Sequence, residues 1–149
     1  MYRRILVPVD GSATSLRGLD EAIRLAKDQK AEVRLLHVVH DFLTTGGQGA
    51  AVYMTLLRQD LRERGAKILA EAAEVARREG LEVVTKMDET PGGSVGELIV
   101  EQAAAWPADL LVLGTHGRRG IRRLLMGSDA EYVVRMTPVP VLLVRSTED

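Results

Sequence analysis

Leu110-Leu111-Val112-Leu113-Gly114-Thr115-His116-Gly117, with Met126-Gly127-Ser128-Asp129-Ala130-Glu131 following it, is the stretch that decides the fold. An apolar run of buried-strand type stops at Gly114, and a second glycine follows at Gly117. Four arginines (Arg118, Arg119, Arg122, Arg123) lie between this corner and Gly127, where a helical pattern through Tyr132, Val133 and Met136 opens. Glycine lets a ligand approach main-chain N–H groups unobstructed. A helix start adds free N–H groups and the positive end of the helix dipole. Together these describe a phosphate-binding corner. A plainer reading competes: Ser128 with Glu131 makes a capping box, and Gly114 merely turns the chain. That reading leaves Gly117 and the four arginines unexplained. No Gly-Lys-Ser/Thr follows the glycines, so the corner is not a Walker loop.

Working outward, the chain alternates strand and helix. Arg4 to Asp10 is a short apolar strand, with Pro8 near its C-terminal end because proline lacks a ladder donor. Asp10 then stands at the strand's mouth. Leu16, Leu19, Ile23 and Ala26 recur at helical spacing, with Ser12 or Thr14 as N-cap. Val33 to Val39 is the second strand, and His37 within it reads as a packed or hydrogen-bonded core histidine. Asp41 to Ala50, with Gly46, Gly47 and Gly49, reads as a loop. A long helix from Ala51 to about Glu79 carries Leu57, Leu61, Ile68, Ala72 and Val75 or Ala76 on one face. Gly65 costs that helix about 1 kcal/mol relative to alanine. Leu81 to Met87 alternates partly, as a strand with one wet face or at a sheet edge does. Thr90 to Ser94 is a turn, and Ser94 with Glu97 forms a second capping box for a helix ending near Trp106-Pro107. Asp109 to Leu113, a helix from Asp129 to about Met136, and Val141 to Val144 complete the series.

This alternation predicts an α/β fold: one doubly wound, five-stranded parallel sheet with helices on both faces. Ligands in such sheets sit beyond the strands' C-terminal ends where strand order reverses. The mouths at Asp10-Gly11 and Gly114 should therefore be neighbours, which order 3-2-1-4-5 provides. A chain of 149 residues, 46% apolar and 28% charged, is a single domain spanning residues 1–149. A net charge of −1 argues against nucleic acid or a membrane surface as partner. Aromatics at 3% leave little for base-stacking platforms. The absence of cysteine excludes disulfides and thiol chemistry and fits a reducing cytoplasm.

These motifs resemble the universal stress protein family over essentially the whole chain. Ile5 to Ser12 resembles the family's opening strand, Leu35 to Val39 its second, and Pro140 to Val144 its closing one. Gly114-Thr115-His116-Gly117, nine residues, then Gly127-Ser128 matches the nucleotide signature Gly-x2-Gly-x9-Gly-Ser/Thr of the ATP-binding group. The resemblance implies an adenine nucleotide as ligand, ATP, ADP or AMP, with Mg²⁺. It places Pro8, Val9, Asp10 and Val38 around the adenosine, and Leu113, Gly114 and Gly117 on the ribose and phosphate side. Gly127 and Ser128 would hold phosphates through main-chain N–H groups and the hydroxyl. Asp129 departs from the small or apolar residue usual after Gly-Ser. With Ser128 as N-cap, its carboxylate would compete with phosphate for one helix end, so Asp129→Asn should tighten ATP more than AMP.

The function so implied is that of a cytoplasmic ATP-binding stress-response protein, a nucleotide-dependent regulatory module. It would form a homodimer through the edge strand Val141, Leu142, Leu143 and Val144. Two alternatives stand beside it. One is a slow ATPase or adenylyl-transfer enzyme, for which no catalytic residue is evident: no second carboxylate stands beside Asp10, no lysine is in the glycine loop, and His116 reads as capping a turn. The other is a nucleotide-free dimeric scaffold, favoured by Asp129.

Overall fold

The computed structural model describes residues 1–41, 48–115 and 126–145. Five strands and four helices alternate along them: β1 (Arg4–Pro8), α1 (Ala13–Gln29), β2 (Glu32–Asp41), α2 (Gln48–Arg78), β3 (Val83–Pro91), α3 (Val95–Ala105), β4 (Leu110–Gly114), α4 (Ser128–Met136) and β5 (Val141–Val144). The strands form one parallel sheet in the order β3-β2-β1-β4-β5, as the two mouths required.

Alternation along each strand splits the core in two. Ile5, Val7, Val33, Leu35, Leu110 and Val112 point to one face, where Leu19, Ala22 and Ile23 of α1 and Ile68, Leu69 and Ala72 of α2 cover them. Leu6, Leu36, Leu111 and Leu113 point to the other, under Ile99 and Ala103 of α3, Trp106 and Val133 of α4. Each strand is apolar on both sides because each side is roofed by helices. At the sheet's N-terminal end the Asp109 carboxylate accepts from the backbone N–H groups of Arg3 (2.8 Å) and Arg4 (2.9 Å), pinning β1 to the start of β4.

The elements depart from the sequence expectation where tertiary contacts override local pattern. β3 runs to Pro91, so Thr90 and Pro91 belong to the strand rather than to a turn. Their parallel pairing to His40 and Asp41 carries both strands beyond the apolar signal. β2 likewise extends to Asp41, and α2 begins at Gln48, leaving residues 42–47 of the expected loop outside the described residues. β3 is an edge strand, as its partial alternation suggested, and Val84 is exposed. Leu16 lies off α1's buried stripe and is 40% exposed, whereas Ser15, Gly18 and Leu19 face the sheet. Met136 of α4 is likewise exposed, at 54%. Along α2, burial begins at Gly65, while Leu57 and Leu61 are only partly covered.

Ser12 is the N-cap of α1, its hydroxyl accepting from the Ser15 N–H at 3.2 Å. Ser94 and Glu97 form the reciprocal capping box of α3. The box expected at Ser128 and Glu131 does not form. The N-cap of α4 is Gly127, with no side-chain cap bond, so Ser128 is already helical and Asp129 is the second residue. The cause is tertiary: the Gly127 N–H donates to the Thr115 carbonyl at 2.8 Å, which sets the chain's angle of entry before Ser128 is reached.

Candidate functional site

The switch point falls between β1 and β4, which pair at Ile5↔Leu110 and Leu6↔Leu111. α1 and α2 cover one face of the sheet, and α3 and α4 the other. Leu113 and Val38 belong to the core under α3 and α4, and Pro8 shares that face by alternation with Leu6. Pro8 and Val38 are only half-buried, so apolar surface is presented where β1 ends and β2 continues past it. The helix whose free N–H end could meet an anion, α4, starts over this same face. A half-buried apolar floor beside a helix start suits a ligand with a flat ring at one end and negative charge at the other.

Val9 and Gly114 belong to the opposite face. Val9 is buried among the residues under α1 and α2. Gly114 abuts the first turn of α1: a Cβ there would lie 2.9 Å from both the carbonyl carbon and oxygen of Thr14. The close approach that makes residue 114 a glycine is thus α1's backbone. Asp10 folds over the mouth, its Oδ1 accepting from the Ser12 N–H at 2.8 Å, while Gly11 takes φ 79° to complete the turn.

The two ends of the glycine signature are joined directly. The Thr115 N–H donates to the Val144 carbonyl at 3.0 Å, and the Thr115 carbonyl accepts from Gly127. The Gly127 N–H is therefore engaged within the protein. At this corner the first-turn N–H groups of α4 from Ser128 onward are those left without intrahelical partners. Gly117, His116 and the arginines Arg118, Arg119, Arg122 and Arg123 lie outside the described residues.

Asp129, expected from the sequence to compete with phosphate at the start of α4, is hydrogen-bonded toward α3. Its Oδ1 accepts from the Gly96 N–H at 3.1 Å, bridging the starts of α4 and α3. The helices touch there: a Cβ on Gly96 would lie 3.0 Å from the Tyr132 Cβ and 3.1 Å from the Asp129 carbonyl. Asp129→Asn can present its amide oxygen to the same N–H, weakening a charge-assisted bond to a neutral one. We expect a loss of about 1 kcal/mol in urea unfolding and an ATP-to-AMP affinity ratio within twofold of wild type. A ratio shifted tenfold toward ATP would return the carboxylate to the phosphate site.

One polar group beside the floor escaped sequence reasoning. Asp88 pairs with Val38 across the β2–β3 ladder, and its carboxylate accepts from the Gln102 side chain of α3 and from the Glu89 N–H. Only the register of β3, which carries no apolar signal there, brings it to Val38. On the other face, the Arg62 guanidinium hydrogen-bonds Glu89 and holds its carboxyl below the usual carboxylate value. A shallow groove lined by Ala66, Leu69, Ala73, Val83 and Met87 also lies on that face, away from the mouths.

The sequence profile of the universal stress protein family matches residues 1–145. A universal stress protein of Methanocaldococcus jannaschii is 37% identical over 145 residues, covering 97% of this chain and 83% of the relative. Universal stress protein UspA from Lactobacillus plantarum superposes with a TM-score of 0.85 at 25% identity, over 97% of this chain and 98% of that one. A universal stress protein solved in complex with cAMP superposes with a TM-score of 0.69 at 28% identity, over 96% and 97% of the two chains. The fold, the strand order and these matches agree: the chain belongs to the universal stress protein family.

Proposed function

We propose that this universal stress protein binds an adenine nucleotide at the β1–β4 switch point and acts as a nucleotide-dependent regulatory module of a cytoplasmic stress response. The base would rest on Pro8, Val38 and Leu113, with Asp10 and Val9 at the edge of the adenosine. The phosphates would lie at the start of α4, on Ser128, with the glycine signature from Gly114 and Gly117 to Gly127 enclosing them. The observation that carries this reading is the apolar floor and the α4 N-terminus sharing one face at one mouth. The relative bound to cAMP supports the adenine moiety. Among the described residues no group of three His, Asp or Glu could hold a metal ion alone. Mg²⁺ would therefore arrive on the phosphates of ATP. The engagement of Asp129 with Gly96 counts against the nucleotide-free scaffold, which that carboxylate had favoured.

The test is thermal unfolding with AMP, ADP, ATP and cAMP, with and without Mg²⁺. A ligand at one hundred times its Kd stabilises the folded state by about 2.7 kcal/mol. A transition that none of the four moves would refute the reading.

The same proposal includes a homodimer through β5. Among the described residues this strand pairs only with β4, which leaves its outer edge open, and Leu143, Val134 and Met136 are exposed large apolar side chains. Open apolar edges invite pairing. Leu143→Lys is expected to convert the dimer to a monomer in small-angle scattering, and a monomeric wild type would contradict the assembly.

A further inference from the structure

His37 lies on β2 with its ring on the α1/α2 side of the sheet, one residue from the half-buried Val38. Its Nδ1 is 2.8 Å from the Val9 carbonyl oxygen. A carbonyl only accepts, so Nδ1 carries the proton and donates. The Val9 N–H already donates to the Leu36 carbonyl at 2.8 Å, so β2 holds Val9 at both its polar groups. The Val9 carbonyl and the Asp10 N–H belong to one peptide plane, and that N–H faces the Ser15 hydroxyl at 3.4 Å. Fixing the carbonyl therefore fixes the plane from which the Asp10 mouth departs.

On the other side of the ring lies the main chain of α2 at Gly65, with the Met87 sulfur close by. A Cβ on Gly65 would lie 2.6 Å from His37 Cδ2 and 3.0 Å from Nε2. The ring is thus clamped between the Val9 carbonyl and the main chain of α2, 31 residues long and interrupted by glycine at the contact. A histidine chosen only to fill the core would need neither an aligned acceptor nor a bare helix backbone.

We propose that His37 is a positioning residue for the nucleotide mouth, orienting the Val9–Asp10 peptide through its Nδ1–H, and that Gly65 is glycine to leave the ring its place. This rests on the adenine-nucleotide reading above, in which Val9 and Asp10 border the adenosine. It adds a path by which displacement of α2 reaches the ligand through a single ring.

The experiment is calorimetric titration of AMP into wild type, His37→Phe, His37→Asn, Gly65→Ala and the double variant His37→Asn/Gly65→Ala. Each is first checked for a cooperative thermal transition. His37→Phe, which has no donor, and Gly65→Ala, which displaces the ring, should each raise the Kd about tenfold. His37→Asn can place an amide N–H where Nδ1–H was, and should stay within threefold of wild type. In that smaller background Gly65→Ala should change the Kd less than twofold. Binding by Gly65→Ala equal to wild type, or His37→Asn as weak as His37→Phe, overturns the proposal. Wild type that fails to bind overturns the nucleotide reading and this inference with it. Should a variant not fold, the ¹⁵N spectrum of the wild-type imidazole decides: a protonated Nδ1 supports the role, and a neutral ring protonated only at Nε2 excludes it.

Discussion

Gly114→Val is expected to lower stability by about 3 kcal/mol and to abolish nucleotide binding. The added Cβ would stand 2.9 Å from the carbonyl carbon and oxygen of Thr14, and 3.0 Å from its Cγ2. The first two are backbone atoms and cannot swing aside, so the first turn of α1 must move. That turn is buried at Thr14 and Ser15 and is capped by Ser12, which also bonds Asp10. Overpacking of this kind costs about 1–3 kcal/mol, at the upper end where backbone is displaced. The loss should appear in urea unfolding without any nucleotide present. A variant of wild-type stability that has lost only binding would mean Gly114 is kept small for the ligand instead.

A second large effect is expected at Trp106, the C-cap of α3. Its ring is 8% exposed and packs with Leu6, Leu36, Ile99, Ala103 and Leu111. The Arg34 guanidinium stacks on it, 4.4 Å from the ring centroid. Arg34 Nε is buried with no hydrogen-bond partner among the described residues, so at that atom the ring face stands in place of water. Trp106→Ala leaves a cavity and strips Arg34 of its neighbour, and should cost about 3–5 kcal/mol. At roughly 2–4 °C per kcal/mol for a chain of this size, the melting temperature should fall by about 10 °C. Arg34→Met in the same background should recover part of the loss, because it removes an unpaired buried polar atom. A fall of less than about 1 kcal/mol in the single variant would mean that the ring packs loosely.

These two positions show what the sequence makes legible. Apolar runs bounded by glycine and proline locate β1, β4 and β5, and two glycine-bounded mouths that must be neighbours supply the strand order. Contacts between elements are another matter. Gly65 reads locally as a weak point of α2, and the His37 ring that a Cβ there would meet belongs to β2. Ser-x-x-Glu occurs before both α3 and α4 and forms a capping box only at Ser94. The difference lies in Gly127, whose N–H is tied to Thr115 across the sheet end. Asp88 carries no strand signal, because an edge strand tolerates charge, yet the ladder sets it beside Val38. At the site, Pro8, Val38 and Leu113 share one face of the sheet, whereas Gly114 is turned toward α1.

The most direct test of nucleotide binding at this mouth is a ¹H–¹⁵N correlation spectrum of the uniformly labelled protein titrated with AMP. The account predicts that the amides of Val9, Asp10, Val38, Ser128 and Asp129 shift in a common saturable curve. Those lining the α2–β3 groove, such as Ala66 and Val83, should stay still. Saturable shifts confined to that groove, or no shifts at millimolar AMP, would contradict it.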